Sequence, residues 1–521
     1  MIRNILVIVA ALLPFAASRL VASTYYVDGD LGNDTHVGTS SDQAWKSLDP
    51  VNARTFTPGD SILLKAGTHY SGQLAPKGSG TLLDGKPLSV SLGKYGAGDA
   101  PRIDGQGAVL DTLLIRNIEY WDIHDIEITN QGTAAEPWRT GVHILADANR
   151  TLHDIHISNL FVHDVNGDLR KTMEGCGIYF ESRGGRGRAG RATSAAGASA
   201  GPATNQAAEP ARFDGLTIEN CHLLRTDRNG ICQRTTGGGA ASRSTHVVIS
   251  HNLLEDIGGD GIKLWGSNGG LVEYNTIHGG HMRCEDPAAG IWPFSSDESL
   301  IQFNEVSGMK TTSDGEGFDS DYQCRGNIFQ FNYSHDNAGG FMLICSPGNS
   351  YCQKTIIRYN VSQNDGTNGA SVFNISGNTT DTLIYNNIIY TGPKQNLTLL
   401  HYGTWNNGNP ARTSFFNNIF YADGSVKYAW GKSSGNLFDH NIFYGNHISP
   451  PPDKHGLTTK PALVKPGGGE DGFKSLTAYQ WLPDAIAPLG KPVPDHGIHD
   501  FFGNSLPTDG APSLGIHQVV R

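Results

Sequence analysis

Short runs in which apolar and polar residues alternate recur along the chain and end in asparagine. They include Ile157-Ser158-Asn159, Ile218-Glu219-Asn220, Ile249-Ser250-His251-Asn252, Val272-Glu273-Tyr274-Asn275 and Ile301-Gln302-Phe303-Asn304. The series continues through Asn332, Asn360, Asn387, Asn418 and Asn441, and from Asn220 the steps are 32, 23, 29, 28, 28, 27, 31 and 23 residues. Self-similarity at such a period predicts a solenoid. Helical repeats would place apolar residues at i, i+3, i+4 and i+7, whereas period-two runs rich in Val, Ile, Phe and Tyr predict coils built from short strands. Asparagine tolerates the left-handed conformation and suits a tight corner between strands. Stacked coils would bring successive asparagines to about 4.8 Å, within reach of a side-chain amide ladder.

These runs resemble the right-handed parallel β-helix repeats of pectate lyases, polygalacturonases and related secreted polysaccharide-degrading enzymes, over roughly residues 100 to 446. The expected fold class is therefore all-β, a right-handed single-stranded parallel β-helix over 24–446 with an N-terminal cap and an irregular C-terminal tail over 447–521. Tyr25-Tyr26-Val27-Asp28-Gly29, Pro58-Gly59-Asp60-Ser61-Ile62 and Pro101-Arg102-Ile103-Asp104-Gly105 resemble the opening of such helices. A cap there would protect the open end. The stretch 182–212, rich in Gly, Ala, Ser and Arg, falls inside the 61-residue step from Asn159 to Asn220 and reads as a disordered, solvated insertion between coils. Pro450-Pro451-Pro452 and Gly467-Gly468-Gly469 mark the tail, which is expected to lie along the coils or cap their end.

Arg3, the apolar run Ile5 to Ala17 and the small residues of Val21-Ala22-Ser23 read as a signal peptide over 1–23, which implies a secreted or periplasmic protein. That run is too short to span a bilayer, and no later segment is long and apolar enough to do so. With 39 Lys+Arg against 50 Asp+Glu the net charge is -11, which excludes a basic nucleic-acid stripe. Glycine, at 66 residues, has no collagen period, and scattered aromatics exclude wholesale disorder. Seven cysteines leave at least one unpaired; Cys345 and Cys352 could close a loop, and the spacings match no metal pattern. A monomer is expected.

A second register, Gly177-Ile178, Gly230-Ile231, Gly261-Ile262, Gly290-Ile291, Gly317-Phe318, Gly340-Phe341 and Gly369-Ala370, predicts strands stacked in one parallel sheet. If the residue after each glycine points inward, alternation turns two columns outward. One is Tyr179, Cys232, Lys263, Trp292, Asp319, Met342 and Ser371; the other is Glu181, Arg234, Trp265, Phe294, Asp321, Ile344 and Phe373. The segment Asp314-Gly315-Glu316-Gly317-Phe318-Asp319-Ser320-Asp321 concentrates four carboxylates. Asp319 and Asp321 should have Cα atoms about 6.6 Å apart, a spacing that leans towards an inverting pair. They are the expected acid and base, with Glu316 and Asp260 in reserve. Lys263, Arg234, Trp265, Trp292 and Glu181 are the expected substrate-binding residues on the same face. His281 and Arg283, in the long turn from Asn275 to Gly290, complete the set as a wall beside the groove.

Together these features predict a secreted glycoside hydrolase that cuts a polysaccharide or oligosaccharide in a groove on the parallel sheet and needs no cofactor. One alternative is a polysaccharide lyase, in which Lys263 or Arg234 removes the proton α to a uronate carboxyl and calcium sits on Asp260, Asp319 and Asp321. A second is a noncatalytic glycan-binding solenoid.

Overall fold

The computed structural model describes residues 22–183, 209–236, 239–311, 313–508 and 510–519. The expected signal peptide lies outside the described residues apart from Ala22 and Ser23. Most of the expected insertion does too, although Ser182 ends one strand (Cys176–Ser182) and Arg212 begins the next (Arg212–Glu219). The chain winds as a parallel β-helix whose coils each contribute strands to three faces. A representative coil has Leu271–Glu273 on the first face, Thr276–His278 on the second and Ile291–Phe294 on the third.

Register between coils is set by apolar residues stacked one on another inside. On the first face Val272, Ile301, Phe329, Ile357, Ile384, Phe415 and Phe438 pair in succession, and all are buried. Each such side chain contributes about 1.5–3 kcal/mol on leaving water, while a slip of one residue would turn the column out to solvent.

The corner after the first face carries the amide ladder. Nδ2 of Asn252 donates to Oδ1 of Asn275 at 2.9 Å, and the same contact runs through Asn304, Asn332, Asn360, Asn387 and Asn418 to Asn441. Asp453 accepts from Asn441 and ends the chain of amides. The left-handed residue is the one before each ladder asparagine: Tyr274, Phe303, Phe331 and Tyr359 all have φ between 52° and 56°. Asn159 and Asn220 differ, because they occupy the left-handed position themselves (φ 54° and 53°) and leave the ladder position to Leu160 and Cys221. The sequence expectation merged two roles that the structure separates. Outside the corner, the rings of Tyr274, Phe303, Phe331 and Tyr359 stack at 4.9 to 5.7 Å.

Among the described residues, one α-helix, Asp49–Ala53, lies near the N-terminal end, where Val51 and Phe56 join the interior. After the last strand, Leu463, Leu476, Tyr479, Trp481, Leu514 and Ile516 pack on outward residues of the second face such as Tyr333, Val361, Ile388 and Ile419. The second face of the last coils is thereby covered, and the third face stays open. No helix among the described residues is long and apolar enough to cross a membrane.

Candidate active site

Third-face strands Asp260–Trp265, Ile291–Phe294, Phe318–Ser320, Met342–Ser346 and Ser371–Gly377 floor a cavity of about 570 Å³. Lys263 pairs with Trp292, Trp265 with Phe294, and Ile291 with Phe318, as the glycine register predicts. Beyond Phe318 the register moves by one. Phe318 pairs with Met342, and Met342 with Phe373. Met342, Ile344 and Phe373 are therefore interior, and the outward columns continue through Leu343 and Cys345 to Asn374 and Ser376. The glycine of Gly340-Phe341 thus sits one residue earlier relative to its strand than its predecessors, a shift that the recurring dipeptide conceals.

The alternation after Phe318 turns Asp319 and Asp321 into the cavity. An oxygen of Asp319, an oxygen of Asp321 and Sγ of Cys345 all lie within 4.8 Å of one another. Asp321 Oδ1 accepts from the Tyr322 backbone N–H at 2.7 Å and from Cys345 Sγ at 3.1 Å. Burial raises Asp321, and these two donors oppose it, leaving it at about 6. Asp319 is pushed much further up, by burial and then by Asp321, Asp314 and Glu316, and one of its oxygens is buried with no partner. The side chains of Asp319 and Asp321 lean together, closer than their Cα spacing suggested.

Asp314 also lines the cavity, held by a single bridge to Ala288. It is half-buried, and burial raises it against the pull of Lys171. Glu316 is buried and pushed to about 8 by burial and Asp314. It does not line the cavity, which corrects its expected place in the groove.

Asp260 is at the cavity but committed. It faces Arg228 at 3.1 Å with neither side chain exposed, and its Oδ1 accepts from Trp292 Nε1 and the Ala289 backbone N–H, each at 3.0 Å. Burial would raise it, but Arg228, Lys263 and Lys171 hold it below the ordinary value. An ionised carboxylate with these partners positions the Trp292 ring and is not a proton donor in reserve. Nor would it be free to take calcium. Lys263 donates to Glu174 Oε1 at 2.6 Å, both side chains nearly fully buried. Burial would lower Lys263, yet Cys232, Glu174 and Asp260 outweigh that and keep it protonated. Lys263 so held is poorly placed to act as the base of the lyase alternative, and Arg234, the other candidate, is a guanidinium that does not line the cavity.

The remaining expected substrate contacts divide. Trp265 and Trp292 line the cavity. Arg234 lies 5.3 Å from the ring centroids of both Trp138 and Trp265, behind the cavity wall. Glu181 is bound to Arg183 at 2.7 Å and faces His143; burial raises it, but these partners hold it at about 2. His281 is buried, and burial pushes it down. Arg283 binds Asp227 and Asp256. None of these last four lines the cavity. The turn expected to form a groove wall instead folds against neighbouring coils.

Several cavity residues, Asp314 and Cys345 among them, escaped sequence reasoning. Lys171 and Glu174 come from the loop before Cys176–Ser182, where a cation and an acid just ahead of a groove strand were a usable signal. Tyr322 and Trp405 extend an aromatic rim in which Trp265, Phe294, Tyr322 and Trp405 meet edge to face at 4.8, 4.6 and 5.8 Å. No periodicity marks Trp405, because it sits on a turn after Asn396–Gly403. All seven cysteines are free, and Cys345 turns to Asp321 while Cys352 faces Ser320, so the loop-closing disulfide is absent.

A family model described as right handed beta helix region matches residues 207–389. The solenoid is a right-handed parallel β-helix. Over 96% of its length the chain is 29% identical to lacto-N-biosidase of Bifidobacterium longum subsp. longum. It spans only 36% of that curated relative. The crystal structure of the GH136 lacto-N-biosidase from Eubacterium ramulus superposes with a TM-score of 0.60 at 26% identity, covering 80% of this chain and 68% of that one. XylC in complex with xylose shares the fold at a TM-score of 0.50 and 10% identity, over 96% of this chain and 98% of that one.

Proposed function

We propose that the chain is a glycoside hydrolase acting on an oligosaccharide by double displacement, with a lacto-N-bioside as the substrate class. The observation that carries the chemistry is the convergence of Asp314, Asp319 and Asp321 on one cavity, each raised above the ordinary carboxylate range. The substrate class rests on the similarity to the two lacto-N-biosidases.

Asp321 is the nucleophile. Its carboxylate is ionised above about pH 6, oriented by Tyr322 N–H and Cys345, and open to the cavity. It bonds to the anomeric carbon while the glycosidic C–O bond breaks. The acid must give up a proton to the leaving oxygen and take one from water in each turnover, which favours a group titrating near the working pH. Asp314, raised by burial against the pull of Lys171 and only half-buried, can carry a proton and still exchange it with water. Asp319, raised well above the ordinary range by burial and its acidic neighbours, suits a hydrogen-bond donor beside Asp321. This reading moves the acid from Asp319 to Asp314. Trp265, Trp292 and Trp405 offer flat apolar surfaces to sugar rings. The leader-like N-terminus supports export.

The test is hydrolysis of an aryl lacto-N-bioside and a matching oligosaccharide by the protein and three variants. Asp321→Asn and Asp314→Asn should each lose about 10³-fold or more in kcat, and Asp319→Asn less than about tenfold. An Asp319→Asn defect as deep as that of Asp321→Asn would return the acid role to Asp319. Turnover unchanged in all three, or an ultraviolet-absorbing unsaturated product, would remove the hydrolase.

A further inference from the structure

A second cluster of donor atoms lies far along the chain from the cavity. Asp439 Oδ1 is 2.9 Å from His440 Nδ1 and 2.7 Å from His455 Nδ1, and the two imidazoles meet with centroids 4.4 Å apart. All three donor atoms fall within 4.8 Å of one another. The cluster is scaffolded by the end of the amide ladder. Asp453 Oδ1 accepts from the backbone N–H of both His440 and His455 at 3.0 Å, while its other oxygen accepts from Asn441. Asp453 therefore fixes the two histidines relative to the strand Leu437–Asp439, and His440 adopts the left-handed corner conformation at φ 60°. Exposure rises outward, from 16% for the Asp439 side chain to 46% for His455, leaving an open side for solvent ligands.

From this geometry we infer that Asp439, His440 and His455 form a binding site for a divalent first-row transition ion, which fastens the turn 453–455 to the last strand of the first face. With bonds of about 2.1 Å, two donors at a right angle stand about 3.0 Å apart, and two at a tetrahedral angle about 3.4 Å. The Oδ1 to Nδ1 separations match the right angle, so the site suits Cu²⁺ or Ni²⁺ in tetragonal coordination completed by water, ahead of tetrahedral Zn²⁺. The same separations also serve imidazole N–H donors on the carboxylate, so an ion takes the place of the Nδ1 protons and each neutral imidazole carries its proton on Nε2 instead. Lys491 limits the affinity. Its Nζ is 3.2 Å from Asp439 Oδ2 and 4.6 Å from the centroid of Phe416, which places a fixed positive charge beside the ion and leaves only Oδ1 to coordinate.

The experiment titrates the full chain, stripped with chelator, with CuCl₂ and with NiCl₂ by calorimetry, together with the electron paramagnetic resonance spectrum of the copper form. One equivalent should bind tightly, with hyperfine structure from two nitrogens. His455→Ala should weaken that equivalent at least tenfold, and Lys491→Gln should strengthen it several-fold. At about 100 times the Kd of the unsubstituted protein, the metal should raise its Tm by about 2–3 °C and that of His455→Ala by about half as much or less. Equal binding by the unsubstituted protein, His455→Ala and His440→Ala would assign the ion to other histidines and overturn the site. Absence of any equivalent in both the unsubstituted protein and Lys491→Gln would reduce the cluster to a hydrogen-bonded network and overturn it equally.

Discussion

The contact from Cys345 Sγ to Asp321 Oδ1 gives the proposed nucleophile a titration that can be moved without touching it. Asp321 sits at about 6, raised by burial and held back first by Cys345 and then by the Tyr322 N–H. Cys345→Ala removes the first donor from a half-buried carboxylate at the cavity. A thiol is a weak donor, and a bond of this kind is worth about 1 kcal/mol. At 1.36 kcal/mol per pH unit this moves Asp321 up by about 0.7, to about 6.7. The sign is fixed by charge, since losing a donor destabilises the anion and leaves the neutral acid alone. If Asp321 must be ionised to attack, kcat/KM falls below the pKa and levels above it. At pH 5 the ionised fraction then drops from about 9% to about 2%, a four- to fivefold loss, while at pH 7.5 the two proteins differ by less than twofold. Cys345→Ser, with a stronger and shorter donor, should carry its acid limb to lower pH than Cys345→Ala. The assay is kcat/KM for an aryl glycoside between pH 4.5 and 8.5, with circular dichroism confirming the fold at each end. Superimposable acid limbs for the unsubstituted protein and Cys345→Ala, or a limb near 4 in the unsubstituted protein, would refute Asp321 as the titrating nucleophile and Cys345 as its positioning residue.

Two further outcomes are expected. Asn332→Ala deletes four hydrogen bonds in a dry interior, two given by Nδ2 to Asn360 and Ile301 and two received from the backbone and side chain of Asn304. At about 1 kcal/mol each the loss is about 4 kcal/mol, read as a lower denaturant midpoint at unchanged slope; a loss below about 1 kcal/mol would deny the ladder its stabilising role. Trp405→Ala, which removes the outer end of the aromatic rim, should raise KM for an oligosaccharide about tenfold with kcat nearly unchanged. A fall in kcat at constant KM would instead tie Trp405 to the transition state.

Local pattern was enough to determine the winding of the chain. Alternating Val, Ile and Phe with an asparagine at each corner admits few structures other than stacked coils, because only stacking buries a column of one-sided strands. The same logic turned Lys263, Trp292, Asp319 and Asp321 to one face, since strand alternation is a property of the backbone. The tertiary structure decided what that periodicity cannot express. It decided which asparagines bend the corner and which bond across coils, a difference of one residue between Asn220 and Asn252. It shifted the register at Phe341, exchanging Ile344 for Cys345 beside Asp321. It brought Lys171, Glu174 and Trp405 to the cavity from loops whose path depends on neighbouring coils. Above all it set the charges. Asp260 and Lys263 look free in the sequence, yet burial against Arg228 and Glu174 commits both, because an ion removed from water must find its counter-charge in whatever the fold places next to it.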